Sequence, residues 1–155
     1  MTEQEAFDTA VRGLASQGFT RSARPKTDSD SSTCGATVCL FNSPDGKKHC
    51  AFGWLITDVD LSAIKTDEGY DGNGLTAYAV MHHVPAIRER FAGFNPVTNL
   101  DSFHDALQNC HDTAYSADGD QVTDRPLRMI QKLREFAENY GLSRTVLDEA
   151  AAKIV

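Results

Sequence analysis

The sequence has 155 residues, of which 41% are hydrophobic and 24% charged, and its formal net charge is −7 at pH 7. A chain of this length buries roughly 70% of its unfolded surface, which is enough for one core without disulfide or metal staples. The acidic balance argues against a general nucleic-acid or anionic-membrane binder, and no run of about 18 apolar residues predicts a transmembrane helix. We therefore expect a single domain over residues 1–155.

The N-terminus predicts a cytoplasmic protein. The first residues, MTEQEAFD, are acidic and lack the basic and apolar regions of a signal peptide. Because the cytoplasm is reducing, we expect no disulfide among the cysteines, which are Cys34, Cys39, Cys50 and Cys110. We also predict no resident cofactor and no metal ion.

The chain opens with an amphipathic segment over residues 3–17. Thr2 and Glu5 have the spacing of a capping box, and Gly18 supplies a C-terminal stop. Apolar residues recur at helical spacing along the segment, at Phe7, Ala10, Val11 and Leu14. This pattern predicts a first helix whose exit is anchored by Phe19.

Residues 20–35 contain no large apolar side chain, and we expect a mobile loop there. Its basic residues, Arg21, Arg24 and Lys26, have two interpretations. They form either a basic contact patch or part of an ordinary solvated loop, and charge runs of this kind favour the solvated loop.

The densest apolar run of the sequence, residues 36–56, is interrupted by the turn signal Ser-Pro-Asp-Gly-Lys. Pro44 presets φ for a type I turn, and Gly46 accepts the left-handed conformation that follows. The flanking residues 37–41 and 50–56 are rich in β-branched and aromatic side chains. We therefore predict a β-hairpin that packs against helices.

Setting Ser43 opposite Lys47 defines the register of the predicted hairpin. One large apolar face then results, formed by Val38, Leu40, Cys50, Phe52, Trp54 and Ile56. Gly53 within a strand predicts either a bulge or the close approach of another backbone. Cys39 and Cys50 fall on opposite faces of the hairpin, which argues against a bridge between them.

The stretch from residue 58 to residue 74 is polar and rich in turn residues. DEGYDGNG within it resembles a calcium loop, but the first and twelfth loop positions fall on Gly69 and Val80 instead of carboxylates. We therefore reject a calcium site. Two helical segments follow over residues 75–83 and 85–92, separated at a proline.

Three more helices are predicted in the C-terminal half, over residues 101–115, over residues 125–140 and in a short segment after Ser143. Asp124 is expected to cap the second of them, and Gly141 to end it. The apolar faces of the first two consist of Phe103, Ala106, Leu107, Cys110 and Ala114, and of Leu127, Ile130, Leu133, Ala137 and Tyr140. The predicted fold class is α+β, with a small antiparallel β-hairpin or sheet packed against several amphipathic helices.

Several short motifs of the chain resemble a pattern found in small phage, prophage and bacterial proteins of unassigned function. That pattern joins an N-terminal amphipathic helix to a hairpin core, here Cys39-Leu40, Asp45-Gly46 and residues 50–56. A Leu-Gln-x-x-His-Asp segment follows, here residues 107–112, and then a closing Tyr-Gly-Leu, here residues 140–142. The resemblance implies a phage or prophage origin and this order of elements, and it implies no activity.

Cysteine and histidine residues raise two chemical alternatives. Metal ligands of suitable type are Cys34, Cys39, His49, Cys50 and Cys110. No C-x-x-C or H-E-x-x-H spacing is present, so we do not predict a zinc site. Cys50 or Cys110 with His111 and Asp112 has the residue types of a nucleophilic site. Both thiols fall on predicted apolar faces, where a thiol is inert, and we predict no catalytic residue.

The segment from residue 101 to residue 124 contains six aspartates and no lysine or arginine. This acidic strip is either a solvated helix face or a surface that docks on a basic groove, as nucleic acid would. The candidate protein-binding residues are Asp101, Asp105, Gln108, Asp112, Asp118 and Asp120.

Two functional hypotheses follow. The first is a phage-encoded, non-enzymatic protein-binding module that inhibits a host nucleic-acid-binding or defence complex by docking on a basic surface of a host protein. It needs no direct contact with nucleic acid or membrane. The alternative is a small metal-binding or cysteine-dependent enzyme or regulator that uses the hairpin cysteines and His49. The sequence favours the first.

Overall fold

The computed structural model describes residues 1–25, 27, 37–56, 77–118 and 121–154. Within these ranges the chain forms α-helices and two small antiparallel sheets, which confirms the predicted α+β fold class. None of the helices in these ranges has the length and apolarity needed to cross a lipid bilayer. The predictions for Lys26, Cys34, residues 58–74 and Asp120 concern positions outside the described residues.

Helices account for most of the regular structure in the described ranges, and the predicted break at Pro85 is confirmed. The helices are α1 (Glu3–Ser16), α2 (Ala77–His83), α3 (Pro85–Glu89), α4 (Leu100–Asp112), α5 (Pro126–Asn139) and α6 (Thr145–Ala151). The strands are β1 (Ala23–Pro25), which pairs with β2 (Thr37–Cys39), and β3 (Tyr115–Asp118), which pairs with β4 (Gln121–Asp124).

Helix α1 begins and ends at the residues that its capping signals predict. The Thr2 hydroxyl accepts a hydrogen bond from the Glu5 amide, and the Glu5 carboxylate accepts one from the Thr2 amide, which together form the predicted capping box. Gly18 follows in the left-handed conformation, with φ of 69°. Phe19 is fully buried, so it anchors the exit from the helix as expected.

One hydrophobic core joins the helices. Helix α1 packs against α6, and α4 packs against α2 and α5. Phe103 of α4 contacts Phe136 and Tyr140 of α5 edge to face, with ring centroids 5.0 and 4.9 Å apart. Phe136 also stacks on Phe7 of α1 at 5.8 Å. Aromatic contacts therefore connect the first helix with the last third of the chain.

The predicted turn is present, but the residues that flank it form one isolated β-bridge and not a pair of strands. The Ser43 amide donates to the Lys48 carbonyl at 2.7 Å, and Gly46 adopts the predicted left-handed conformation with φ of 68°. Beyond this turn, Asn42 and His49 form an isolated antiparallel bridge. The predicted register, with Ser43 opposite Lys47, is therefore wrong.

The predicted strand over residues 50–56 is also wrong. Gly53–Leu55 form one turn of 3-10 helix, and no residue from 50 to 55 is β-branched. A short apolar run does not separate a strand from a buried turn by periodicity alone, which explains the error. Gly53 permits the tight turn because a Cβ there would lie 2.2 Å from the Phe41 carbonyl oxygen. The predicted close approach of another backbone at Gly53 is confirmed.

The first arm of the predicted hairpin, β2, pairs with β1 instead, so that Arg24 lies opposite Val38. Strand β1 falls within residues 20–35, where we expected a mobile loop, and that prediction is wrong for residues 23–25. The pairing is made by backbone groups, so it needs no large apolar side chain on β1. The sequence signal for this strand was therefore weak.

Helix α5 keeps its predicted limits but differs at its start. Asp124 does not cap it, because the Asp124 carboxylate accepts a hydrogen bond from Arg21 Nε at 2.9 Å. Leu127, predicted on the buried face, is 66% exposed, since the buried face of α5 begins only at Met129. Strands β3 and β4, which precede α5, form a hairpin that the sequence analysis missed.

Gly13 provides a test of how tightly α1 packs on the 3-10 turn. A Cβ at Gly13 would lie 2.2 Å from the Trp54 ring, and the ring is held because its N–H donates to Gln17 Oε1 at 3.1 Å. Replacing glycine by alanine inside a helix normally stabilises it by about 1 kcal/mol. Here we expect Gly13→Ala to lower the free energy of unfolding by about 1–3 kcal/mol through overpacking, measured by urea denaturation. In a Trp54→Ala background the same change should stabilise the protein, and stabilisation in the native background would contradict the packing.

Candidate functional site

Polar groups from separate segments of the chain meet around the carboxylate of Asp112, at the end of α4. Asp112 Oδ1 accepts hydrogen bonds from Gln108 Nε2 at 2.6 Å and from His111 Nδ1 at 2.8 Å. The thiol of Cys39, on β2, also hydrogen-bonds to Asp112. We call these four residues, together with Ser22, the Asp112 network.

Both ring nitrogens of the buried His111 have partners. Its Nε2 accepts a hydrogen bond from the Ser22 amide at 2.8 Å. The imidazole proton must then sit on Nδ1, where it is donated to Asp112. In this arrangement no imidazole lone pair is available to take a proton from a thiol, so His111 does not act as a general base toward Cys39.

Gln108 extends the Asp112 network into the core. Its Oε1 accepts a hydrogen bond from the Phe52 amide at 3.0 Å, and its side chain is buried. The prediction that Gln108 lies on an exposed stripe with the aspartates is therefore wrong. The residues at i, i+3 and i+4 of a helix share one face, so the spacing of Gln108, His111 and Asp112 was the signal that could have revealed the network. The hydrogen bond from the Ser22 amide to His111 has no comparable signal in the sequence.

The remaining candidate protein-binding residues lie in different surroundings. Asp101 is half-buried, and its carboxylate lies 3.4 Å from the Arg88 guanidinium. Asp105 is exposed one helical turn further along α4, and Asp118 is exposed at the end of β3. Burial raises the pKa of Asp105, and the neighbouring charge of Asp101 raises it further. Asp101 and Asp105 therefore lie close enough to interact electrostatically.

Arg21, which we expected in a solvated loop, is buried, and that prediction is wrong. Its Nε donates to Asp124 Oδ1 at 2.9 Å, and its guanidinium carbon lies 4.2 Å from the centre of the Tyr115 ring. A buried cation is tolerated only when it is paired. The ion pair and the ring contact therefore hold the segment before β1 against the β3–β4 hairpin.

The cysteines of the described ranges are free, and their thiols are not activated. Burial raises the pKa of Cys39, and the Asp112 carboxylate raises it further. Burial also raises the pKa of Cys50, and it raises that of Cys110 to about 12. The thiols therefore keep their protons at neutral pH, which disfavours the nucleophilic alternative, because a thiolate is the reactive species.

His104 occupies an apolar site in the core. Its ring lies among four phenylalanine rings with centroid distances from 4.3 to 5.7 Å, which belong to Phe52, Phe91, Phe94 and Phe103. Neither of its ring nitrogens has a hydrogen-bond partner. Burial lowers the pKa of His104 to about 3, so this imidazole is neutral over the physiological range.

Comparison with protein-family models, with curated proteins and with solved structures found no match to this chain. The resemblance to phage and prophage proteins, which depends on the motifs of residues 39–56 and 107–112, therefore stays an expectation.

The thiol chemistry predicts slow modification of the folded protein. In a Cys34→Ser variant, we expect Cys39, Cys50 and Cys110 to react with a chromogenic aromatic disulfide on the order of a hundredfold more slowly than in denaturant, because reaction requires opening and deprotonation. Absorbance of the released thiolate gives the rate. A thiol that reacts at the denatured rate while circular dichroism remains native would contradict this assignment.

The buried imidazole of His104 predicts acid lability. The pKa of His104 falls from 6.5 to about 3 on folding. Between these two pH values the unfolded chain therefore binds a proton at His104 that the folded chain does not bind. The free energy of unfolding should therefore decrease as pH falls from 6.5 toward 3, by a total on the order of 4 kcal/mol. His104→Leu removes this contribution, and we expect a shallower decline in urea denaturation between pH 7.5 and pH 4. If the free energy of unfolding declined equally with falling pH in both proteins, His104 would not contribute to the acid lability.

Proposed function

We propose that this chain is a non-enzymatic binding protein that docks on a basic, partly apolar surface of a partner protein. The contact surface is the start of α4 and the loop before it, and we define it as the acidic corner, formed by Val97, Asp101 and Asp105. The observation that carries the proposal is that Val97 is 88% exposed in the loop that leads into the helix bearing these two carboxylates. An apolar centre with a polar rim is a common composition of a protein interface.

The loop that presents Val97 is held in place before any partner binds. The carboxylate oxygen Oε1 of Glu3 accepts hydrogen bonds from the Asn95 amide at 2.8 Å and from the Thr98 hydroxyl at 2.7 Å. Burial alone would raise the pKa of Glu3, but these hydrogen bonds outweigh it and lower the pKa. A loop ordered in advance loses less conformational entropy on binding, which favours a docking role.

The charges of the acidic corner favour a basic partner. Asp101 and Asp105 lie four residues apart on one helix, where like charges repel by a few tenths of a kcal/mol. The raised pKa of Asp105 reflects its burial first and this repulsion second. A cationic side chain of a partner would relieve the repulsion, and Arg88 offsets only part of it from 3.4 Å.

The absence of an activated group in the Asp112 network supports binding over catalysis, within the part of the chain that the structure describes. The partner that we propose is a host protein, and the outcome is inhibition of a nucleic-acid-binding or defence complex in the cytoplasm. Asp118 is exposed and is retained as a further contact. Asp112 and Gln108 are not, because their side chains are engaged in the Asp112 network.

The test compares three immobilised proteins in a bacterial lysate. The first is the native chain, the second carries Val97→Ser, Asp101→Asn and Asp105→Asn, and the third is a matched control. The control removes one exposed apolar side chain and two exposed carboxylates elsewhere, through Leu127→Ser, Glu138→Gln and Glu149→Gln.

A basic protein should be retained by the native chain and the control and lost from the acidic-corner variant. We expect its affinity for that variant to fall about tenfold or more, and its affinity for the native chain to fall as salt rises. Quantitative mass spectrometry and calorimetry with the purified partner measure both effects. Equal retention by all three proteins would rule out the acidic corner as the docking surface.

A further inference from the structure

The Asp112 network contains three side chains that are metal ligands in other proteins. The Cys39 sulfur, one His111 ring nitrogen and one Asp112 carboxylate oxygen all lie within 4.8 Å of one another. In a tetrahedral zinc site, with bonds of about 2.0–2.3 Å, the ligand atoms are separated by roughly 3.3–3.8 Å. The three groups therefore need only a small closure to surround one ion.

We propose that Cys39, His111 and Asp112 bind one divalent transition-metal ion of the zinc type. A thiolate and an imidazole select zinc, cobalt or nickel over magnesium and calcium, which prefer oxygen ligands. Three protein ligands leave a fourth position for water or another small ligand. Asp112 is half-buried, so one side of the group faces solvent and gives an ion access.

Binding of the ion requires loss of the Cys39 thiol proton. Burial and the Asp112 carboxylate keep that proton in place when no ion is bound. A divalent ion between the sulfur and the carboxylate reverses this preference, since a coordinating thiol is deprotonated outright. The sulfur–hydrogen bond breaks, a sulfur–metal bond forms, and the proton passes to solvent. Metal uptake should therefore release about one proton from the protein at neutral pH.

The imidazole must rearrange for the ion to bind. His111 Nδ1 carries the proton that is donated to Asp112, because Nε2 accepts the Ser22 amide. Coordination through Nδ1 moves that proton to Nε2. The protonated Nε2 then faces the Ser22 N–H and can no longer accept a hydrogen bond from it. The ion therefore binds at the expense of the Ser22 hydrogen bond, and we expect lower affinity than in closed four-ligand zinc sites. Gln108, 2.6 Å from the Asp112 carboxylate, would keep that carboxylate oriented.

The experiment titrates Co²⁺ and Zn²⁺ into a Cys34→Ser reference protein. Thiolate coordination produces a sulfur-to-cobalt charge-transfer absorption in the near ultraviolet, and isothermal calorimetry gives the stoichiometry. We expect one equivalent bound by the reference and by the matched control Cys110→Ser, because Cys110 lies in the α4–α5 contact and donates to carbonyls. Cys39→Ser should lose the absorption, and Asp112→Asn should bind at least about tenfold more weakly.

The outcome is decided by folded proteins, with circular dichroism recorded for each. If the folded reference protein binds neither Co²⁺ nor Zn²⁺ at micromolar metal concentrations, the proposal is overturned. This outcome needs no substitution at the site itself. Binding that is unchanged in a folded Cys39→Ser protein would place the ion elsewhere and overturn it as well. Release of about one proton in buffers of different ionisation enthalpy would support it. The acidic corner is not involved, so failure here leaves the proposed docking function unaffected.

Discussion

The carboxylate of Asp112 is the constraint on which the described arrangement depends. It lies at the C-terminal end of α4, where the helix dipole disfavours a negative charge. Donors from Gln108, His111 and Cys39 offset this cost. A partly buried polar network is stabilising only when each member is satisfied, because an unpaired group in the interior costs more than a hydrogen bond gains. The same carboxylate therefore fixes the position of β2 relative to α4.

Polar contacts also hold the segment that leads into β1. Residues 20–25 have no large apolar side chain, so burial of hydrophobic surface cannot attach them to the core. The Ser22 amide binds His111, and the Arg21 guanidinium binds Asp124 and covers the Tyr115 ring. This part of the fold relies on directional interactions, whereas α1, α4 and α5 meet through aromatic packing.

The sequence predicted the elements whose signals are local. Thr2, Glu5 and Gly18 gave the limits of α1, and the apolar spacing gave α4 and most of α5, because capping and helical periodicity depend on residues a few positions apart. The prediction of a strand over residues 50–56 failed because an apolar run whose first β-branched residue is Ile56 suits a buried turn as well as a strand.

Long-range polar pairing explains the errors at the candidate sites. Asp124 has the sequence position of a helix cap, but Arg21, more than a hundred residues earlier, binds its carboxylate. Gln108 was grouped with the aspartates as a protein-binding residue, yet its partner is the Phe52 amide. Neither pairing leaves a local pattern. Helical spacing places His111 and Asp112 near each other, but no spacing along the chain predicts that Cys39 of β2 joins them.

Two backbone amides at the start of the 3-10 turn, those of Phe52 and Gly53, donate hydrogen bonds to side chains. The Phe52 amide donates to Gln108 Oε1 at 3.0 Å, and the Gly53 amide donates to Cys50 Sγ at 3.1 Å. The Phe52 amide hydrogen exchanges with deuterium only when its hydrogen bond to Gln108 of α4 is broken. The exchange rate of this single amide therefore reports the separation of a helix from a turn fifty-six positions away.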